Sequence, residues 1–210
     1  MKKITFFVIT VWFSVFVSLA QNPPTTTGIK ISANRSDYVF KNIENISCTM
    51  KNGWSFGGFF NFPIMDIFSV QSELSVNYKV CEIDNQYSKR FGDCQYFSFE
   101  VPVYGMVKKK LKQGEIFAGA GLYVDAGFKA VICDFNLYEE EVVKPLDLGA
   151  TLMAGCQLPN RLLLFIGAQS GIANLNNVKN SNFLMKSRTF FFGIAYKFKP
   201  AKEEQMKFNF

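Results

Sequence analysis

Residues 67–80, IFSVQSELSVNYKV, decide the fold. Phe68, Val70, Leu74, Val76, Tyr78 and Val80 are apolar, and Ser69, Gln71, Glu73, Ser75, Asn77 and Lys79 between them are polar. Alternation with period two describes a β-strand with one dry and one wet face. The run is well over the roughly 5–6 residues of an ordinary globular strand. A strand this long with a single apolar face fits a wall whose outside meets lipid and whose inside lines a narrow barrel.

The same alternation returns along the chain from Gly28 and predicts eight strands, at 27–34, 53–62, 67–80, 96–108, 115–130, 146–158, 162–173 and 188–198. Trp54, Phe56, Phe60 and Phe62 share one parity while Ser55, Gly57 and Asn61 take the other; Ala118, Ala120, Leu122, Val124 and Ala126 oppose Gly119, Gly121, Tyr123 and Asp125. The longer of these runs match the roughly 9–11 residues that cross a bilayer at a steep tilt. The connections alternate in length: 63–66, 109–114 and 159–161 are short, whereas 35–52, 81–95, 131–145 and 174–187 are long. Short inner turns, long outer loops and an even strand count predict an all-β fold, an eight-stranded antiparallel up-and-down transmembrane β-barrel. The apolar face is zoned as two headgroup layers require. Phe60, Phe62, Phe68, Tyr196 and Phe198 fall near the short-turn rim, and Trp54, Phe56, Tyr78, Phe97, Phe128 and Phe190 near the other. The alternative is a soluble ligand-binding barrel with the apolar faces inside.

The chain of 210 residues carries 24 Phe and 8 Tyr but no His. Without imidazole it lacks the usual general base near neutral pH and the commonest transition-metal ligand, which argues against triad hydrolysis and zinc sites. Residues 1–20 read as a cleaved signal peptide: Lys2 and Lys3, an apolar run, then Ser18 and Ala20 at the cleavage site. Residues 21–27 form a Pro-rich periplasmic lead-in, 28–198 the barrel and 199–210 a periplasmic tail. Loss of Lys2 and Lys3 leaves 21 basic against 17 acidic residues, dispersed along the chain. That balance does not imply nucleic acid.

Three stretches, GWSFGGFFNFPIMDIFSVQSELSVNYKV (53–80), YFSFEVPVYGMVKKKLKQGEIFAGAGLYVDAGFKA (96–130) and TFFFGIAYKF (189–198), together resemble the PorT-like small outer-membrane β-barrel family of Bacteroidetes. The resemblance covers residues 28–198 and implies export, an outer-membrane location and insertion by the outer-membrane assembly machinery. Gly193, Tyr196 and Phe198 on the closing strand resemble the signal which that machinery reads, although the chain runs twelve residues further. One member of the family belongs to a protein secretion apparatus, so an accessory secretion role is an alternative to a structural or interaction role.

Eight strands enclose a space that side chains fill, which excludes an open diffusion pore. Parity sends Lys30, Glu73, Lys79, Glu100, Glu115, Asp125, Lys129, Asp147 and Lys197 inward. Lys30, Glu73, Glu100, Asp125 and Lys129 are the expected lumen charge network. Glu73 and Glu100 sit at similar expected height, and two close carboxylates can share a proton; a structural ion-pair plug is the plainer reading. Five cysteines in an exported chain raise disulfides, with Cys81 and Cys94 as the pair that staples the second outer loop. Cys48 with Cys133 is a further pairing, and Cys156 points to lipid. Neither a cofactor nor a metal site is expected: CxxC spacing is lacking, and the acidic run 139–141 has no calcium-loop pattern. The expected function is non-enzymatic, with membrane lipid and the assembly machinery as partners.

Overall fold

The computed structural model describes residues 25–43, 46–85, 90–132, 135–178 and 181–198. The expected signal peptide, the C-terminal tail and Cys133 lie outside these residues. The strands are β1 (Thr26–Lys41), β2 (Ile46–Pro63), β3 (Phe68–Asn85), β4 (Arg90–Leu111), β5 (Gly114–Ile132), the two-residue β6 (Phe135–Asn136), β7 (Leu146–Gln157), β8 (Leu162–Gly171) and β9 (Leu184–Lys197). Each pairs antiparallel with its sequence neighbour; β7 pairs with β5, β6 is a short appendage on β5, and β9 returns to β1 to close the ring. The result is the expected eight-stranded up-and-down barrel. Closure satisfies the backbone of every barrel strand from both sides and leaves no open edge.

Turn chemistry explains the short end. Gly114 adopts φ 122° to close the tight β4–β5 hairpin, and Arg161 adopts φ 68° between β7 and β8. At the other end β1 to β4 and β9 run further than the alternation predicts, whereas β7 begins at Leu146 as expected and β8 ends early, at Gly171. The expected loop at 35–52 is mostly paired, with Arg35 opposite Asn52 and Ser36 opposite Lys51. The expected loop at 81–95 is likewise sheet, with Cys81 opposite Cys94 and Glu82 opposite Asp93. The apolar parity ends where the wall leaves its apolar surroundings, but backbone pairing has no such limit and carries the hairpins beyond it. The lead-in is also shorter than expected, because β1 begins at Thr26.

The inner space is packed in zones. An apolar cluster of Phe59, Tyr104, Met106, Phe117, Met153, Phe165, Phe191 and Ala195 fills the half nearer the short turns. A second cluster, including Tyr38, Cys81, Cys94, Tyr96, Val143, Leu175 and Met185, closes the opposite mouth. Polar and charged side chains occupy the space between. The lower aromatics fit because their register partners are glycines: Phe59 opposite Gly28, Phe117 opposite Gly155, Phe165 opposite Gly193 and Phe191 opposite Gly167. A Cβ on Gly167 would lie 2.2 Å from the Phe191 ring, so each ring occupies the surface its glycine leaves bare.

Candidate functional site

The lumen network is built on inward positions of β1, β3, β4, β5 and β7. Lys30 donates to Glu73, and its Nζ lies 5.0 Å from the ring centre of Phe165 and 5.7 Å from that of Phe191. Gln71 Nε2 donates to the other Glu73 oxygen at 2.8 Å. Lys79 is the hub of a separate group, with its Nζ 3.1 Å from Glu100 and 2.6 Å from Asp125. Glu100 also accepts from Asn77 at 3.1 Å and Gln169 at 2.8 Å. Asp147 stands opposite Asp125 in register and accepts from Ser187 and, at 3.0 Å, from Tyr123. Each buried carboxylate here has a donor on at least one oxygen, while Asp125 Oδ1 and Asp147 Oδ1 are buried without one.

Four of the five residues expected in the network are inward and buried: Lys30, Glu73, Glu100 and Asp125. Glu73 and Glu100 do not form a shared-proton pair, because each is engaged by its own lysine and its own amides. Lys129 is a correction. A β-bulge places Ser98 opposite Gly127 but Phe97 opposite Lys129, so one extra residue reverses the parity and turns Lys129 to the outside, where it is exposed. Lys79, in the expected inward set but not in the expected network, is the cation that joins β3, β4 and β5.

Above this network the mouth is sealed. Tyr38 and Tyr96 pack with ring centres 4.8 Å apart. The segment after β6 folds over them: Lys144 N donates to Leu175 O at 2.8 Å, and Tyr138 enters against Gly127, whose added Cβ would meet its hydroxyl at 1.9 Å. Burial pushes the Tyr138 phenol above its ordinary range. Outside the mouth, hydrogen bonds from Lys51 to Asp93 and then to Glu82 hold its ammonium above the usual lysine range. Two cavities along the lumen measure about 20 Å³ each, room for about one water apiece and too little for a solute path.

Cys81 and Cys94 face each other in register at 1% and 0% exposure, and both are thiols in the structure. The Cys48 thiol packs against the same cluster and accepts from Tyr38 N at 3.4 Å. Cys156 shares the outward parity of Leu152 and Ala154, as expected. Gly193 lies on β9 where a Cβ would come 2.2 Å from Ile31 O, and Tyr196 and Phe198, both 41% exposed, meet edge to face with ring centres 6.0 Å apart on the outer wall. Among the described residues, no three acidic, cysteine or histidine side chains are grouped to hold a metal.

The outer wall is apolar: Leu122, Ile166 and Phe192 are more than 60% exposed. Rings follow one another round the outer rim from β2 to β5, with Trp54 to Tyr78 at 6.0 Å, Tyr78 to Phe97 at 4.9 Å and Phe97 to Phe128 at 6.2 Å. A closed barrel whose outer wall is apolar and whose charged side chains are buried within inverts the soluble arrangement and removes that alternative. It defines a small membrane-spanning β-barrel.

The chain belongs to the outer membrane protein beta-barrel domain family, which matches residues 20–180. Among solved structures, the outer membrane protein OprG from Pseudomonas aeruginosa is similar with TM-score 0.56 and 8% identity, covering 83% of this chain and 95% of that one. Ail of Yersinia pestis, in complex with the heparin analogue sucrose octasulfate, is similar at TM-score 0.45 and 14% identity, covering 84% and 100%. The outer membrane enzyme PagL is similar at TM-score 0.37 and 12% identity, covering 77% and 97%. A search of curated proteins finds no significant match. At these identities the likeness is one of fold. The chain is an outer membrane β-barrel protein of the small eight-stranded type, a kind found in the bacterial outer membrane.

Proposed function

We propose that the protein is a non-enzymatic structural or interaction barrel, closed to solute diffusion, that works through its outer extensions or its tail. The observation that carries this reading is the filled lumen: buried ion pairs centred on Lys30 and Lys79 lie between an apolar layer below and an aromatic cap above. The absence of His from the chain and the engagement of both lumen glutamates by lysine speak against acid–base chemistry there. Export by the signal peptide and insertion by the assembly machinery reading Gly193, Tyr196 and Phe198 belong to the same reading. The order of motifs supports a place in the PorT-like group of Bacteroidetes, where an accessory role in protein secretion is the second reading.

The test is liposome swelling with the full-length barrel reconstituted, alongside planar-bilayer recording. Neither sugar flux nor stepwise conductance is expected. A stable open conductance would overturn the plug.

A further inference from the structure

The outer rim carries an asymmetric charge. On β9 and β1, Arg35 pairs in register with Phe190, Arg188 with Asp37 and Lys186 with Val39, so three cations climb one outward face above the apolar wall. Lys186 lies between Met185 and Ser187, which turn inward, and so shares the outward parity of Arg188. Arg188 binds Asp37 with both Nε, at 3.0 Å, and Nη2. Arg35 and Lys186 have no carboxylate partner among the described residues; Arg35 makes only a 3.3 Å bond to Met50 O. On the neighbouring β2, by contrast, Lys51 is matched by Glu82 and Asp93. Arg35 and Lys186 thus leave positive charge unneutralised on the β1–β9 arc, as the exposed Lys129 does on β5.

Directly beneath it the wall is hollowed. Arg35 and Phe190 line the outer end of an apolar groove of about 660 Å³ whose floor is Ala118, Ala154 and Ala168. A second groove of about 630 Å³ adjoins it, shares Ala154, Ile166 and Phe192, and continues past Ile31 and Leu164. Both volumes lie within the range of roughly 300–1,000 Å³ typical of ligand sites. Unpaired guanidinium and ammonium groups recognise phosphate, and apolar grooves recognise acyl chains. The two features meet at Arg35.

We propose that this arc is a fixed site for one phosphorylated, multiply acylated lipid of the outer leaflet, a lipid A-type glycolipid, with its phosphate on Arg35 and Lys186 and acyl chains in the two grooves. The cations stand at the end of the barrel that carries the long connections, which selects the outer leaflet, and paired grooves suit a lipid with several chains. Arg188, held by Asp37, positions the rim rather than binding the phosphate. The site rests on the wall alone and does not depend on whether the lumen is closed.

Native mass spectrometry of the full-length barrel in detergent tests it, with bisphosphorylated lipid A and the same lipid stripped of phosphate as probes. The parent should retain one phosphorylated lipid and bind the stripped form at least about tenfold more weakly, the worth of one charge-assisted hydrogen bond. The Arg35→Gln/Lys186→Gln double variant should lose that discrimination, and Ala168→Phe should weaken both lipids, with unboiled gel migration confirming a folded barrel. Equal binding of both lipids by the parent, displacement by phosphatidylglycerol at equal concentration, or undiminished discrimination in the double variant would overturn the proposal. The parent comparisons decide the matter even if a variant misfolds.

Discussion

Replacing Lys79 by Met removes one cation from between two carboxylates while keeping most of the side-chain volume. Lys79, Glu100 and Asp125 are 7%, 6% and 7% exposed, so water cannot readily take the place of the ammonium. Glu100 would keep its bonds from Asn77 and Gln169, but Asp125 would lose the only ion pair it makes among the described residues. Breaking a buried pair by deleting one partner costs about 3–5 kcal/mol, because the survivor's charge stays buried. The retained amides on Glu100 place the expected loss at the lower end of that range. Glu100→Gln should cost less, about 1–2 kcal/mol, since it leaves the 2.6 Å Lys79–Asp125 pair in place. Urea titration in detergent micelles, with the folded fraction read from the heat-sensitive gel band, measures both. A Lys79→Met barrel as stable as its parent, or one more stable than Glu100→Gln, would refute the view that this triad holds the lumen together.

Leu122, 66% exposed in the middle of the apolar wall, should tolerate Lys poorly, at a cost of about 2–4 kcal/mol in lipid vesicles, whereas Lys129→Leu should be near neutral; equal effects would mean the wall does not face lipid. A side chain at Gly193 would begin 2.2 Å from Ile31 O and 2.8 Å from the Phe165 ring, so Gly193→Leu should cost at least about 1–3 kcal/mol and deplete the folded band. Undiminished folding would show that the register at this position gives way. Peptide mapping of the exported protein without reductant should recover Cys81 joined to Cys94, a short-loop bond worth about 2–3 kcal/mol. Free thiols at both positions, or a Cys48–Cys81 bond, would count against that pairing.

Strand number, orientation and the outward apolar belt were legible in residues such as Phe68, Val70 and Leu74, because a one-residue parity controls which solvent each side chain meets. The same parity sent Lys30, Glu73, Glu100 and Asp125 inward correctly, since each lies on a regular stretch of its strand. It failed at Lys129, where the bulge opposite Phe97 and Ser98 inserts a residue that no local composition announces. It also placed the ends of the first two outer hairpins too low, since side-chain alternation reports the membrane and not the backbone ladder.

Whether Lys79 or Lys30 answers Glu100, and whether Glu73 and Glu100 share a site, depended on which strands face one another across the lumen and by how much they are staggered. The same holds for the aromatic rings seated on glycines: Gly155, Gly167 and Gly193 are visible in the sequence, but their partners Phe117, Phe191 and Phe165 are assigned only by register. The sequence by itself determined the wall, because the choice between lipid and lumen is made locally, residue by residue. Tertiary structure alone decided the plug, because its ion pairs join residues 21 to 46 positions apart across a closed barrel, and their distances are set by closure rather than by neighbours in the chain.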